Sequence, residues 1–337
     1  MSFKSILLAQ KIKNFQKKRP FDENAEFYSL KEGASQNLTN SYYISGHSKD
    51  GQSIIIRLGE RGTGNNEVWF AYHDLLDNNF ICAHQILENQ SLIETSCLQA
   101  GKKWKIQYSG GIIQDNKTPQ NIWKNLKGTR IIPAVFDGEF TAVSDIYDFC
   151  KHSDARVIAR ALSSRKIDKK KIQDILNLVY YEQAGKLQGS LNLGGKKTEI
   201  DMTAIRRRMY GERDLNNIKR HFSLNILTEK GQTVSVHLLE TVFGNFQIGY
   251  YTSDKGNISL DSVIIDEMPT YIPNSFKLLA SFTDDKKLVI KCEKETEFEF
   301  SYDDDNYRII ESIARFDING AKARGIIRLG YNILLNK

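Results

Sequence analysis

The stretch Tyr180–Phe222 reads YYEQAGKLQGSLNLGGKKTEIDMTAIRRRMYGERDLNNIKRHF. It begins as a glycine-punctuated strand pair. Arg206, Arg207, Arg208, Arg213, Lys219 and Arg220 then fall within fifteen residues of one another. On a strand, successive side chains point to opposite faces, so Arg206 and Arg208 share one face while Arg207 and Met209 share the other. If the even face turns into a barrel, Arg206, Arg208, Tyr210 and Asp214 line a cavity. The alternative is a structural ion-pair network closing a junction between two halves, with Glu182 and Glu212 as counter-charges. Three adjacent cations cannot all be buried without partners. The expectation is that Arg206 or Arg208 points inward, bonded to Glu182, Asp214 or an anionic ligand group, while Arg207 is solvated.

Around that stretch the pattern is mostly β. Residues 26–143 give a series of short strands, and Lys103–Tyr108 alternates Trp104, Ile106 and Tyr108 with Lys103, Lys105 and Gln107, the period-two signature of a half-buried strand. A helical interlude follows. Asp154 caps a helix with Val157, Ile158, Ala161 and Leu162 on its apolar face, and Asp168 caps another with Ile172, Ile175, Leu176 and Val179. Residues 3–19 read as a basic amphipathic helix with Leu8, Ile12 and Phe15 at i, i+4, i+7, ended by Pro20. Such a helix either docks on the body or touches an anionic membrane. Asp303-Asp304-Asp305-Asn306 lacks the full spacing of a calcium loop and reads as a polar hairpin turn.

An internal repeat is present. Asp50-Gly-Gln-Ser-Ile-Ile-Ile matches Lys230-Gly-Gln-Thr-Val-Ser-Val in register, and an aromatic strand follows each at nearly the same distance. The reading is all-β: two tandem antiparallel barrels or sandwiches, with short helices at the N-terminus and the junction. Its boundaries are 1–24 for the first helix, 25–150 for one β domain, 151–179 for a helical connector and 180–337 for the second β domain.

A formal charge of +6 over 337 residues is too weak to imply nucleic acid. Four cysteines without a CxxC pair indicate neither a disulfide framework nor a zinc site. No run approaches the roughly 20 apolar residues that span a bilayer, and a cytoplasmic location is the expectation. No nucleophile elbow, HExxH, P-loop or dinucleotide fingerprint occurs, so neither a cofactor nor a metal is expected.

Tyr181-Glu-Gln-Ala-Gly-Lys-Leu-Gln-Gly-Ser, followed by Ala204-Ile-Arg-Arg-Arg-Met-Tyr-Gly-Glu-Arg-Asp, resembles the tandem lipocalin-like family of carotenoid 1,2-hydratase (hydroxyneurosporene synthase) and related cyclases. It is also similar to the N-terminal domain of animal phosphoenolpyruvate-synthase-like proteins. The resemblance covers residues 25–330. Arg206, Gly211, Arg213 and Asp214 keep the family motif, whereas Arg207-Arg208-Met209 replaces its Asp-His-Ser segment and Leu215 its Trp. Asp and His are the proton-moving groups of that motif, so their loss leaves a cationic cluster with one carboxylate.

The resemblance implies two lipocalin-like barrels that bind an elongated apolar molecule of polyene, terpenoid or polyketide type. It further implies cofactor-free cyclisation, hydration or isomerisation. Arg206, Arg208, Tyr210 and Asp214 are the catalytic candidates; Trp69, Tyr72, Glu182, Arg213 and His221 are the candidates for ligand binding. A non-catalytic lipid or pigment carrier and an accessory domain for a partner enzyme stay open. The oligomeric state is not readable from the sequence.

Overall fold

The computed structural model describes residues 3–19, 22–30, 33–62, 66–76, 78–82, 92–114, 130–163, 169–228, 231–265, 269–302 and 306–335. The expectations for Pro20, Asp168 and Asp303–Asp305 fall outside them.

The first barrel is built from β1 (Leu38–His47), β2 (Ser53–Arg61), β3 (Asn66–His73), β4 (Asn79–Cys82), β6 (Lys103–Gln114), β7 (Ile131–Ala142), β9 (Val179–Leu193) and β10 (Lys196–Glu212). All neighbours are antiparallel, and the path closes because β10 pairs with both β1 and β9. Two further strands, β5 (Leu92–Gln99) and β8 (Tyr147–Asp148), pair with β6 and β9. The second barrel runs in chain order through β11 (Ile218–Thr228), β12 (Thr233–Thr241), β13 (Gly244–Ser253), β14 (Gly256–Ile264), β15 (Ser275–Phe282), β16 (Lys287–Tyr302), β17 (Tyr307–Ile318) and β18 (Ala321–Asn332).

The all-β, two-barrel reading holds, but the division at 151–179 does not. Residues 179–212 are hydrogen-bonded into the first sheet, so the second barrel begins at Ile218. Helices α2 (Phe149–His152), α3 (Ala155–Ser163) and α4 (Lys169–Asn177) form a crossover within the first barrel. The reason is that β1 and β7 would otherwise be open edges, and only full closure removes an edge. The glycines of β9 serve that closure: a Cβ on Gly189 would stand 2.2 Å from the Asp137 carbonyl oxygen of β7.

Burial follows from alternation. In β2, Ile54 and Ile56 enter the first barrel's core while Ile55 joins a separate core between the barrels. A strand buried on both faces reads as a continuous apolar run, which accounts for Ile54-Ile55-Ile56. Where the outer face meets water, as in β6, lysines alternate with the core residues. Both barrel interiors are filled by side chains: Phe70, Trp104, Tyr108 and Phe136 in the first, Phe222, Leu224, Ile290 and Leu329 in the second.

The repeat is borne out in geometry. The β1–β2 turn closes with Ser48 N–H to the Gln52 carbonyl at 2.9 Å, and Gln52 N–H donates to Ser48 Oγ at 3.0 Å. The β11–β12 turn repeats both bonds with Thr228 and Gln232, at 2.9 and 3.0 Å. Gly51 and Gly231 hold positive φ in the same place, a conformation that favours glycine.

Candidate functional site

Cross-strand register lays one row of side chains over the outside of the first barrel. Trp69 lies opposite Arg57, Arg57 opposite Tyr43, Tyr43 opposite Arg207, and Arg207 opposite Glu182. On the second barrel the corresponding row places His237 opposite Ser223, Ser223 opposite Arg328 and Arg328 opposite Glu311. The rows meet across the barrel interface. Arg207 and Glu182 are therefore buried at 4% and 0% exposure, paired through Arg207 Nε and Nη2 to Oε1 at 2.8 and 2.5 Å.

This overturns the expectation that Arg207 is solvated. The outer face of β10 is covered by the other barrel, not by water.

Glu182 is the hub of a buried polar relay. Asn225 Nδ2 donates to both of its oxygens at 3.1 Å, and Ser235 Oγ donates to Oε2 at 2.7 Å. His237 Nε2 stands 3.0 Å from Ser235 Oγ and 3.3 Å from Glu182 Oε1. His237 Nδ1 then lies 3.1 Å from His221 Nε2. Ser235 spends its hydrogen on Glu182, so His237 carries its proton on Nε2. His237 Nδ1 is then an acceptor, with His221 Nε2 at 3.1 Å and the Tyr180 hydroxyl at 3.5 Å, and a proton on His221 Nε2 leaves Nδ1 of that ring as a bare base. Nδ1 of His221 has no hydrogen-bond partner among the described residues.

The electrostatics fit that assignment. Burial alone would raise the Glu182 carboxyl, but Arg207, His237 and Ser235 outweigh it and hold the group well below the usual carboxylate range. Burial lowers both His221 and His237, and the cations Arg207 and Arg328 lower them further; Glu182 pulls His237 the other way without outweighing burial, so both rings are neutral at pH 7. An aromatic wall fixes the relay: Phe149 meets His237 edge-on at 4.9 Å and stacks on Tyr180 at 4.5 Å. Burial pushes the Tyr147 hydroxyl up to about 12, and the group bonds the Gly249 carbonyl at 2.9 Å.

The relay ends at a cleft of about 500 Å³. Its walls come from α3, α4, the end of β10 and strands β11–β13. Ile158, Leu176, Leu178, Leu239, Phe246 and Ile248 make it apolar, while Tyr180, His221, Arg213 and Asp214 supply polar groups. An apolar concavity with a few convergent polar groups is the usual form of a small-molecule site.

Solved structures share this architecture. A putative AttH from Nitrosomonas europaea matches over 90% of this chain and 96% of its own, with a TM-score of 0.52 and 10% identity. Kievitone hydratase from Nectria haematococca matches over 90% and 92%, with a TM-score of 0.50 and 10% identity. The fold is tandem lipocalin-like. At such identity the likeness speaks for fold alone. No protein-family model and no curated protein sequence matches the chain. The similarity to phosphoenolpyruvate-synthase-like proteins finds no support among the matches.

The sequence-derived candidates separate into three groups. His221, Arg213 and Asp214 line the cleft, and Glu182 lies behind His221 at the end of the relay. Asp214 is also engaged as a cap, accepting from Asn216 N–H at 3.0 Å and Asn217 Nδ2 at 2.7 Å. Arg206, Arg208 and Tyr210 are elsewhere, at an end of the first barrel closed by residues 22–28. Arg206 forms a two-pronged pair with Glu26 at 3.0 and 3.1 Å and sits 3.3 Å over the Trp104 ring. Arg208 donates to the carbonyls of Met209, Tyr28 and Ser41, and Tyr210 packs on Tyr28.

Trp69 and Tyr72 form the third group. Trp69 stacks on Phe300 at 4.4 Å in the inter-barrel core, and Tyr72 lies in the first barrel's core. Neither lines the cleft.

Tyr180, Asn225, Ser235 and His237 were missed. The signal for the last three lay in β11 and β12, where Ser223, Asn225, Ser235 and His237 alternate with apolar residues. Small polar groups and histidine, with no Lys or Glu, on an outward face indicate a covered polar surface and not a solvated one.

Proposed function

We propose that the cleft binds an elongated apolar small molecule and that His221 acts on it as a general base, in a cofactor-free hydration, cyclisation or isomerisation. One observation carries this reading: a neutral imidazole lines an apolar cleft, with its second nitrogen tied through His237 to a buried carboxylate. That arrangement fixes the tautomer and orients the ring, leaving Nδ1 to take a proton. The apolar walls would exclude water and hold the substrate against the base. A fold neighbour that is a hydratase is in keeping with this, as is the family resemblance in the arginine segment. Arg213 and Tyr180, which line the same cleft, would meet an oxygen on the substrate.

Native mass spectrometry of the freshly purified chain provides the test. The expected result is a bound apolar molecule that a variant with the cleft filled, Ile248→Trp, no longer retains. The recovered molecule, returned to ligand-free wild-type protein, should gain one water or change chromatographic mobility at constant mass. His221→Gln should bind it and leave it unchanged. A ligand left unaltered by wild type would make the protein a carrier and defeat the catalytic reading.

A further inference from the structure

We propose that α1 (Phe3–Lys18) docks the protein on an anionic lipid bilayer, lying in the plane of its surface. One side of this helix is spoken for. Ser5, Ala9, Ile12 and Gln16 are buried, with Ala9 and Ile12 in a core shared with α3 and α4. Gln16 Nε2 donates to the Ser153 and Cys150 carbonyls at 2.8 and 3.2 Å, and Arg19 pairs with Asp148 at 3.2 Å. The helix is therefore held in one orientation, and what it shows on its outer side is fixed.

That outer side carries a second apolar patch. Phe3, Ile6 and Leu7 stand at i, i+3, i+4 and are 76%, 53% and 51% exposed. At about 100° per residue Lys13 falls on one side of the patch and Lys4, Lys11 and Lys18 on the other, while Gln10, Asn14 and Lys17 continue its line toward the C-terminal end of the helix. All five lysines are exposed, and the helix has no acidic residue. An apolar patch on the first two turns, with lysines on both sides and along the turns that follow, lets that end of the helix enter the boundary between headgroups and acyl chains while the lysines meet the headgroups. No helix of the described residues is long and apolar enough to cross a membrane, so α1 would lie on the surface.

The charge distribution commits the occupant to an anionic surface. Helices α1 and α3 together hold seven basic residues and no acidic residue, a formal charge of +7. The whole chain carries +6, so everything outside these two helices carries −1. The helical layer is the positive face of an otherwise slightly acidic molecule. Nothing here depends on the chemistry in the cleft.

Vesicle co-sedimentation of the full chain tests the proposal. Wild type should pellet with phosphatidylcholine vesicles carrying about a third phosphatidylserine, and not with phosphatidylcholine alone. Added salt should release it. Each lysine at such a surface contributes about a factor of five, so Lys4→Gln/Lys11→Gln/Lys18→Gln should bind about a hundredfold more weakly. Phe3→Ser/Leu7→Ser should also lose binding. These positions are exposed, and unchanged thermal melts would show that both variants keep the fold. Equal pelleting on neutral and anionic vesicles, no pelleting on either, or wild-type binding by both variants would overturn the proposal. Recovery of an acidic protein with α1 in place of vesicle binding would equally count against it.

Discussion

Tyr43 of the first barrel donates its hydroxyl hydrogen to Glu311 of the second, Oη to Oε2, across 2.9 Å of buried interface. Glu311 is fully buried, and Arg328 is its ion partner through Nε at 2.5 Å. Arg328 also sits 4.5 Å over the Tyr43 ring. Tyr43→Phe keeps the ring and removes one donor to a buried carboxylate, which should cost about 1–3 kcal/mol. Urea denaturation of the two proteins measures it. A change near zero would show that Glu311 finds another donor.

Arg207→Ala should be among the most damaging single substitutions in the chain. It strands Glu182 as a buried charge, at a cost of about 3–5 kcal/mol. Replacing both partners, in Arg207→Leu/Glu182→Leu, should recover part of that loss, because an unpaired charge costs more than a missing pair. Equilibrium unfolding of the three variants gives the comparison.

Acid should weaken the fold in two stages. His221 and His237 are held below their ordinary value of 6.5. As pH falls below about 6.5 the unfolded chain takes up these protons before the folded one, so stability declines. Glu182 is likewise held below its ordinary 4.5, and its contribution, complete above that value, is lost as pH falls further. Burial holds His47 low as well, at about 3, and adds to the first stage. The slope of stability against pH should therefore be shallower in His221→Gln than in wild type between pH 6.5 and 5, read from melts at fixed ionic strength. Parallel curves would mean that His221 is not depressed.

Arg206→Ala and Arg207→Ala should differ in kind. Arg206 stacks on Trp104 and pairs with Glu26, so its loss should alter tryptophan emission and loosen residues 22–28. Ligand retention in the cleft should survive, provided the protein folds. Fluorescence combined with native mass spectrometry separates the two outcomes.

Much of the architecture is legible in the sequence because it is written in local chemistry. The paired Gly51 and Gly231 turns and the alternation at Trp104, Ile106 and Tyr108 identify strands without knowledge of what covers them. Domain membership of residues 179–212 was not legible. Which edge a strand closes is a non-local property, and a helical run looks the same whether it joins two domains or crosses over within one. The same holds for the arginines. Alternation correctly separates Arg207 from Arg206 and Arg208, but the outer face of a strand reads as solvent until a second barrel is placed on it. His221 and Glu182 stood out as chemistry-bearing groups, whereas Ser235 and His237 acquire a role only when β12 is laid against β9.

The two barrels repeat each other in sequence register. Arg207 opposite Glu182 matches Arg328 opposite Glu311, and each glutamate takes a hydrogen bond from the first strand of the other barrel, Asn225 in one case and Tyr43 in the other. Counting from the matched turns, His221, Ser235 and His237 correspond to Ser41, Ile55 and Arg57. A pair of identical subunits would have to repeat whatever lies near its symmetry axis, so two such relays or none. A single chain is released from that constraint. One half can keep a histidine pair beside a cleft while the other half, with Ser41, Ile55 and Arg57 at the matching positions, carries none.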